Sequence, residues 1–221
     1  MSAFFVTATG TDIGKTFMTA GLIRHLRAQD KAVFALKPVA SGFDEAKLAE
    51  SDAGVLLEAL GRPMDMEQVA KISPFRFAAP LSPDQAAARE GKHIDVNAVI
   101  RFCREEMIAS RGALFIEGIG GVMVPLDAKH TTLDLMMAQN LPIILVAGTY
   151  LGTLSHTLTA LDVLVSRKLK VALVVINESE GGVSLNETIT SVGRYAGEIP
   201  VAGVKRSGAK KDFSRLWNLI A

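Results

Sequence analysis

The sequence predicts an α/β fold, a mostly parallel sheet with helices on both faces. Three observations carry the prediction. Short apolar runs alternate with helical patterns along the chain. The runs at 141–147 and 171–176 are continuously apolar, as strands covered on both faces are. The first run leads directly into a glycine-marked turn and then an amphipathic stretch.

The elements follow in order. Residues 3–7, with Phe4, Phe5 and Val6, form the first strand, and a helix over about 15–28 follows the turn. The second strand, 32–37, is stopped by Pro38. Ser51 marks the start of a helix over 52–60. The interval 61–96 breaks the rhythm: it carries Pro63, Pro74, Pro80 and Pro83 and few periodic apolar residues. Within it, Ser82-Pro83 reads as an N-cap and a first helical proline, so 74–90 is expected as a loop and short helix over the active face. A helix over 97–110 precedes the strand 114–117, which ends at a run of glycines. Helices at 132–139, 153–168 and 185–196 then alternate with strands at 143–147, 171–176 and 201–204. The terminal Leu216-Trp217-Asn218-Leu219-Ile220 reads as a packing helix.

Composition narrows the function. A chain of 221 residues is expected to form one domain over 1–221. The net charge of +1 gives no reason to expect nucleic acid as a partner. Cys103 is the only cysteine, so an intrachain disulfide is impossible; it reads as a buried structural residue in a cytoplasmic protein. The N-terminus lacks the basic region of a signal peptide, and the apolar runs are shorter than the ~20 residues of a membrane helix. No membrane association is expected.

The chemistry concentrates at predicted strand ends. Thr9-Gly10-Thr11-Asp12-Ile13-Gly14-Lys15-Thr16 lies between a strand and a helix. Backbone N–H groups there suit the phosphates of ATP or GTP, Lys15 adds a mobile positive charge, and the Thr16 hydroxyl suits Mg2+. The spacing departs from the usual motif: Thr9 stands where glycine is expected and Gly10 comes one residue late. Glu117 ends a strand before Gly118-Ile119-Gly120-Gly121, the position of a Mg2+ carboxylate in phosphate-loop proteins. Lys37 ends the neighbouring strand and would face the same phosphate as Lys15. Asp52 is either a helix-start charge or a second Mg2+ carboxylate. The turn around Gly152-Thr153 opens a helix and suits a carboxylate. Asn177 is either a turn former or a reader of an adenine edge. His156 falls in a helix and receives no catalytic role. The fold implied is a P-loop NTPase-like three-layer sandwich.

The order of these motifs resembles the dethiobiotin synthetase family. The resemblance runs from residue 3 to about 202, and its most specific stretches are Lys37-Pro38-Val39-Ala40-Ser41-Gly42 and Pro80-Leu81-Ser82-Pro83. It implies an ATP- and Mg2+-dependent cyclo-ligase that closes a cyclic urea on 7,8-diaminononanoate with CO2, through a carbamate and a carbamic-phosphoric anhydride. By resemblance, Lys15 and Lys37 are catalytic, and Thr16, Asp52 and Glu117 hold Mg2+. Asp12, Ile13, Gly14, Lys15, Thr16 and Phe17 wrap the phosphates, with Gly118, Ile119 and Gly120 beside them. Ser41 faces the diamine. Gly152 and Thr153 take the substrate carboxylate at a homodimer interface. Asn177 and the segment Pro200, Val201, Ala202 frame adenine. Three departures stand out. Ala8 replaces a family glycine, with Gly10 expected to supply the lost backbone freedom. Tyr150 replaces a frequent lysine. No acidic residue follows Pro200 until Asp212. The alternative reading is a partition- or septum-positioning-type ATPase switch, but Thr9, Gly10 and Thr11 lack the extra lysine of that class.

Overall fold

A computed structural model describes residues 2–221. Its elements are β1 (Ala3–Ala8), α1 (Lys15–Arg27), β2 (Val33–Leu36), β3 (Val39–Ser41), a 3-10 helix (Glu45–Glu50), α2 (Asp52–Leu60), α3 (Met66–Ile72), β4 (Phe75–Phe77) and α4 (Pro83–Arg89). There follow α5 (Val96–Ala109), β5 (Ala113–Glu117), α6 (Thr132–Gln139), β6 (Ile143–Ala147), α7 (Thr153–Ser166), β7 (Val171–Asn177), α8 (Leu185–Gly193), β8 (Val201–Val204) and α9 (Lys210–Ile220).

Six strands form one parallel sheet in the order β2-β5-β1-β6-β7-β8. Every residue of β5 and β6 is buried, so helices cover both faces. That is why these strands read as unbroken apolar runs. Helix α1 packs on β1, β2 and β5 and carries α2 and α9 beside it. Arg24, His25 and Arg27 in its last turn suit the negative end of the helix dipole. Helix α9 closes the core: Trp217 meets Phe4 and Phe115 edge-on, with ring centroids 6.1 and 6.4 Å away. Cys103 is fully buried in α5, and burial pushes its thiol up to about 12, so it is an inert core residue.

The interval 61–96 is more structured than its prolines suggest. It holds α3, β4 and α4, and β4 pairs in parallel with β3 in a separate two-stranded sheet. Pro83 occupies the first turn of α4 as expected, but the Ser82 side chain makes no capping bond.

The register explains where the site lies. Strand β1 is central, and β5 pairs with both β1 and β2. Val6 stands opposite Glu117, and Leu36 opposite Ile116. The residues leaving β1, β2 and β5 at their carboxyl ends therefore converge, which is where ligands of such sheets bind.

Candidate active site

The turn between β1 and α1 is built for an anion. Gly14 is the N-cap of α1 in the left-handed region, with φ 100°. Among the described residues no side chain caps this helix, and its first turn carries no acid. Its leading N–H groups and the positive end of its dipole remain available to a ligand. Gly14 must be glycine for a second reason: a Cβ there would fall 2.3 Å from Asn177 Nδ2. The other positive φ in the turn belongs to Asp12, at 56°. Gly10 is not among the positive-φ residues, so it does not supply the freedom expected of it. It serves by close approach instead: a Cβ on Gly121 would lie 3.5 Å from Gly10 Cα, so the two glycine turns nearly touch. Lys15 Nζ donates to Gly10 O at 3.1 Å and to Gly120 O at 2.8 Å, linking those turns. Burial, then the charge of Lys37, bring the Lys15 ammonium down to about 8.

Lys37 is the centre of a charge cluster and is 1% exposed. Its Nζ donates to Asp52 Oδ2 at 2.7 Å, Glu117 Oε1 at 2.9 Å and Gly118 O at 2.9 Å. All three ammonium donors are thereby used. Burial alone would lower its pKa, but Glu117 and Asp52 outweigh burial and raise it. Burial likewise works to raise Asp52, and Lys37 with the Thr16 hydroxyl prevails and holds it low. The placement of Asp52 depends on Gly54. A Cβ on Gly54 would fall 1.9 Å from Leu48 O, so only glycine lets the 3-10 helix fold back on the first turn of α2. Ser51 completes that turn by accepting from Gly54 N at 3.0 Å.

Thr16 meets both carboxylates. Its Oγ1 lies 2.8 Å from Asp52 Oδ1 and 2.7 Å from Glu117 Oε1. One hydroxyl proton serves only one of these contacts, so the other brings two oxygen lone pairs together. Glu117 Oε2 is buried and has no hydrogen-bond partner among the described residues. Three oxygens crowded together with an orphaned carboxylate atom fit a small hard cation. The described residues hold no group of three or more His, Cys, Asp or Glu side chains placed to hold a metal ion. A metal here would thus rest on two carboxylates and a hydroxyl, few enough to leave room for water and phosphate.

A cavity of about 780 Å³ opens over this cluster. Thr11, Asp12, Gly14, Lys15, Thr16, Lys37 and Asp52 line one side, with Ile119 and Gly120 next to them. Ser41, Gly42 and Phe43 line another side, and Pro80, Leu81, Ser82 and Pro83 close it. The small β3–β4 sheet holds these walls together: Gly42 N donates to Ala79 O at 2.9 Å and Phe43 N to Phe77 O at 3.0 Å. Of the segment 74–90, residues 80–83 reach this cavity.

The chain is 50% identical to an ATP-dependent dethiobiotin synthetase of Acidiphilium cryptum, over 90% of this chain and 91% of that one. It is 43% identical to the enzyme of the same name from Phenylobacterium zucineum, over 100% of this chain and 96% of that one. The chain belongs to the dethiobiotin synthetase family. A family model described as an AAA domain matches residues 2–204. Among solved structures, the MinC:MinD cell division complex of Aquifex aeolicus aligns with a TM-score of 0.58 at 10% identity, covering 99% of this chain and 96% of that one. The hydrogenase maturation factor HypB of Archaeoglobus fulgidus aligns at 0.53 and 11% identity, covering 100% of this chain and 91% of that one. At such identities these neighbours show the fold alone, a P-loop NTPase sandwich. The dethiobiotin synthetase relatives favour the ligase over the ATPase switch.

Other residues singled out by the family resemblance lie apart from the cavity. Gly152 is the left-handed N-cap of α7, with φ 95°, but neither it nor Thr153 lines the cavity. The Thr153 hydroxyl turns inward to donate to Gly148 O at 2.7 Å, and Thr153 N donates to Tyr150 O at 3.1 Å. Tyr150, at the family's lysine position, has its hydroxyl 2.9 Å from His156 Nδ1 and 3.4 Å from Thr9 Oγ1. Asn177 ends β7 and reaches the phosphate turn, donating from Nδ2 to Ile13 O at 3.0 Å. Pro200, Val201 and Ala202 are not brought to this end. They begin β8, and it is Val204 that pairs with Asn177. Beyond Val204 the chain stays near the end of β7 and the start of α1: Arg206 N donates to Glu178 Oε2 at 3.1 Å, and a Cβ on Gly208 would lie 2.5 Å from the Phe17 ring. The strand 201–204 was expected where it lies; the adenine role of its first residues came from the resemblance alone.

Proposed function

We propose that this cavity closes the cyclic urea of dethiobiotin on 7,8-diaminononanoate, with CO2 and ATP as co-substrates. The observation that carries the reading is the meeting of Lys15, Thr16, Lys37, Asp52 and Glu117 at one phosphate-binding turn, in a chain of this family. One substrate amine captures CO2 and loses a proton, giving a carbamate. A carbamate oxygen attacks the γ-phosphorus, the bond from phosphorus to the bridging oxygen breaks, and ADP leaves. The second amine attacks the carbamoyl carbon, loses its proton, and inorganic phosphate departs as the ring closes.

The chain's own groups have distinct tasks in this reading. Lys37 cannot move far, because three acceptors hold it, so it offers a fixed positive charge to the carbamate and the transferring phosphoryl group. Lys15 holds only two carbonyls and is free to exchange them for phosphate oxygens. Residues Asp12 to Phe17, with Gly118, Ile119 and Gly120, enclose the phosphates. Thr16, Asp52 and Glu117 would hold Mg2+, and the orphaned Glu117 Oε2 supports the assignment. When bound, the ion would neutralise charge on the phosphoryl group in transfer. Ser41 and the wall at 80–83 enclose the diamine, which excludes water from the anhydride. The turn at Gly152-Thr153 takes the substrate carboxylate in a cytoplasmic homodimer. Asn177 Oδ1, which has no partner among the described residues, would accept from an adenine amino group. Residues 205–208 replace Pro200, Val201 and Ala202 as the wall behind the base.

The test is ADP release measured in CO2-depleted buffer with diamine present, followed by restored bicarbonate. ADP should form only after the restoration. Full ADP production beforehand, or ATP hydrolysis indifferent to the diamine, would remove the carbamate route.

A further inference from the structure

The phosphate turn is braced from a strand that does not adjoin it. Strand β7 stands two places from β1, with β6 between them. Asn177 at the end of β7 nevertheless reaches the turn, its Nδ2 donating to Ile13 O at 3.0 Å. The orientation of that amide is fixed by chemistry: a carbonyl only accepts, so the NH2 end must face Ile13. Asn177 is itself held by pairing with Val204, and Glu178 N donates to Val204 O at 3.0 Å just beyond it. Gly14 leaves the space the amide occupies, since a Cβ there would lie 2.3 Å from Nδ2.

The peptide joining Ile13 to Gly14 is a rigid trans plane, so its C=O and N–H point in opposite directions. A carbonyl drawn toward Asn177 turns the Gly14 N–H the other way. Gly14 lines the cavity, whereas Ile13 and Asn177 do not. We propose that Asn177 is a positioning residue of the phosphate turn, holding the Ile13 carbonyl so that the Gly14 N–H is aimed at the phosphates. This task is separate from reading a base, which would use Oδ1, the buried end with no partner among the described residues. One side chain thus serves both ends of the nucleotide. The inference rests on the ATP-dependent reading of the cavity.

The variant is Asn177→Leu, which keeps bulk under Gly14, adds no charge and lacks the donor. The probe is Mg-tripolyphosphate, which carries three phosphates and no base. Its affinity should fall about ten-fold, the usual cost of a lost hydrogen bond that leaves a buried acceptor unpaired. The Gly14 amide resonance, which should shift strongly when tripolyphosphate is added to the wild type, should respond weakly in the variant. Unchanged tripolyphosphate affinity alongside weakened ATP binding would reduce Asn177 to a base reader and overturn the proposal. Should the variant not fold, the wild-type protein answers: before any ligand is added, the Asn177 side-chain NH2 protons should exchange slowly with solvent, and free exchange would overturn the proposal. Diamine-dependent ADP formation by the wild type is measured separately. Its absence would remove the synthetase reading and leave the tripolyphosphate result standing.

Discussion

Two turns in this molecule share one local geometry and differ in everything around it. After β1, Gly14 caps α1 at φ 100°; after β6, Gly152 caps α7 at φ 95°. Both helices start without a side-chain cap and without an acid in the first turn. At the first turn, Lys15 of α1, Asp52 of α2, Glu117 of β5 and Asn177 of β7 join Lys37, just past β2, and build a charged site. At the second, Thr153 spends its hydroxyl and its N–H on Gly148 and Tyr150, Tyr150 faces His156, and Leu151 stands 92% exposed. A glycine-capped helix start offers N–H groups to an anion, but the neighbouring strands decide whether reactive groups meet it.

The sharpest way to break this contrast is Lys37→Ala. Removing one transition-state charge contact should lower kcat by ~10²–10³-fold. It should also destabilise the fold by roughly 3–5 kcal/mol, because Glu117 loses its buried counter-charge. Lys15→Ala should match the rate loss but not the stability loss, since Lys15 bonds only carbonyls. Kinetics together with thermal unfolding separate the two; equal unfolding midpoints for both variants would contradict the assigned cluster. Next in size are Glu117→Gln and Asp52→Asn. Glu117→Gln should raise the half-saturating Mg2+ concentration roughly ten-fold, as a neutral amide replaces a carboxylate ligand. Asp52→Asn should raise it less, because the Asp52 side chain is 47% exposed and water can substitute. An unchanged Mg2+ titration in both would remove them from the metal site.

Much of this contrast was readable before the structure. Buried parallel strands are unbroken apolar runs, so β1, β5, β6 and β7 were expected within a residue or two of where they lie. Lys15, Thr16, Lys37, Asp52 and Glu117 sit at strand ends or helix starts, and a parallel sheet collects those positions at one edge. Strands β3 and β4 were not legible, because three residues carry no period and their pairing joins positions far apart in the chain. Helix α3 was hidden between Pro63 and Pro74. The Thr153 hydroxyl was illegible for another reason: sequence gives a side chain's chemistry but not whether a nearby carbonyl has already claimed it. The strand 201–204 lies where the sequence puts it, so Pro200, Val201 and Ala202, which came from the family resemblance alone, stand at its opening end and not beside Asn177.

The pH dependence of ATP binding sharpens the first turn further. Lys15 in the free protein titrates at about 8, lowered by burial and by Lys37. Triphosphate favours the protonated ammonium, so its affinity should be flat below that pH and fall above it. The fall approaches ten-fold per pH unit until the higher pKa of the complex is reached. Calorimetry from pH 7 to 9.5 should show this slope in the wild type and lose it in Lys15→Met. A wild-type affinity that stays flat to pH 9.5 would mean Lys15 does not meet the phosphates.

The smallest effects belong to the second turn, and they ask whether it binds anything. With Thr153 occupied internally, the groups left for a substrate carboxylate are the backbone N–H groups of the α7 start. Contacts of an anion with such groups depend on its charge. The methyl ester of the diamine should therefore show a KM roughly ten-fold above that of the free acid, with kcat little changed. Thr153→Ala should leave this acid-to-ester ratio intact, because its hydroxyl points at Gly148 and not at the ligand. It should instead lower stability by about 1 kcal/mol for the lost hydrogen bond. The two readouts divide the possibilities cleanly. A ratio that collapses in Thr153→Ala would mean the hydroxyl turns outward when substrate arrives. Equal KM values for ester and acid in the wild type would leave the second turn a helix start like any other, with the carboxylate bound elsewhere.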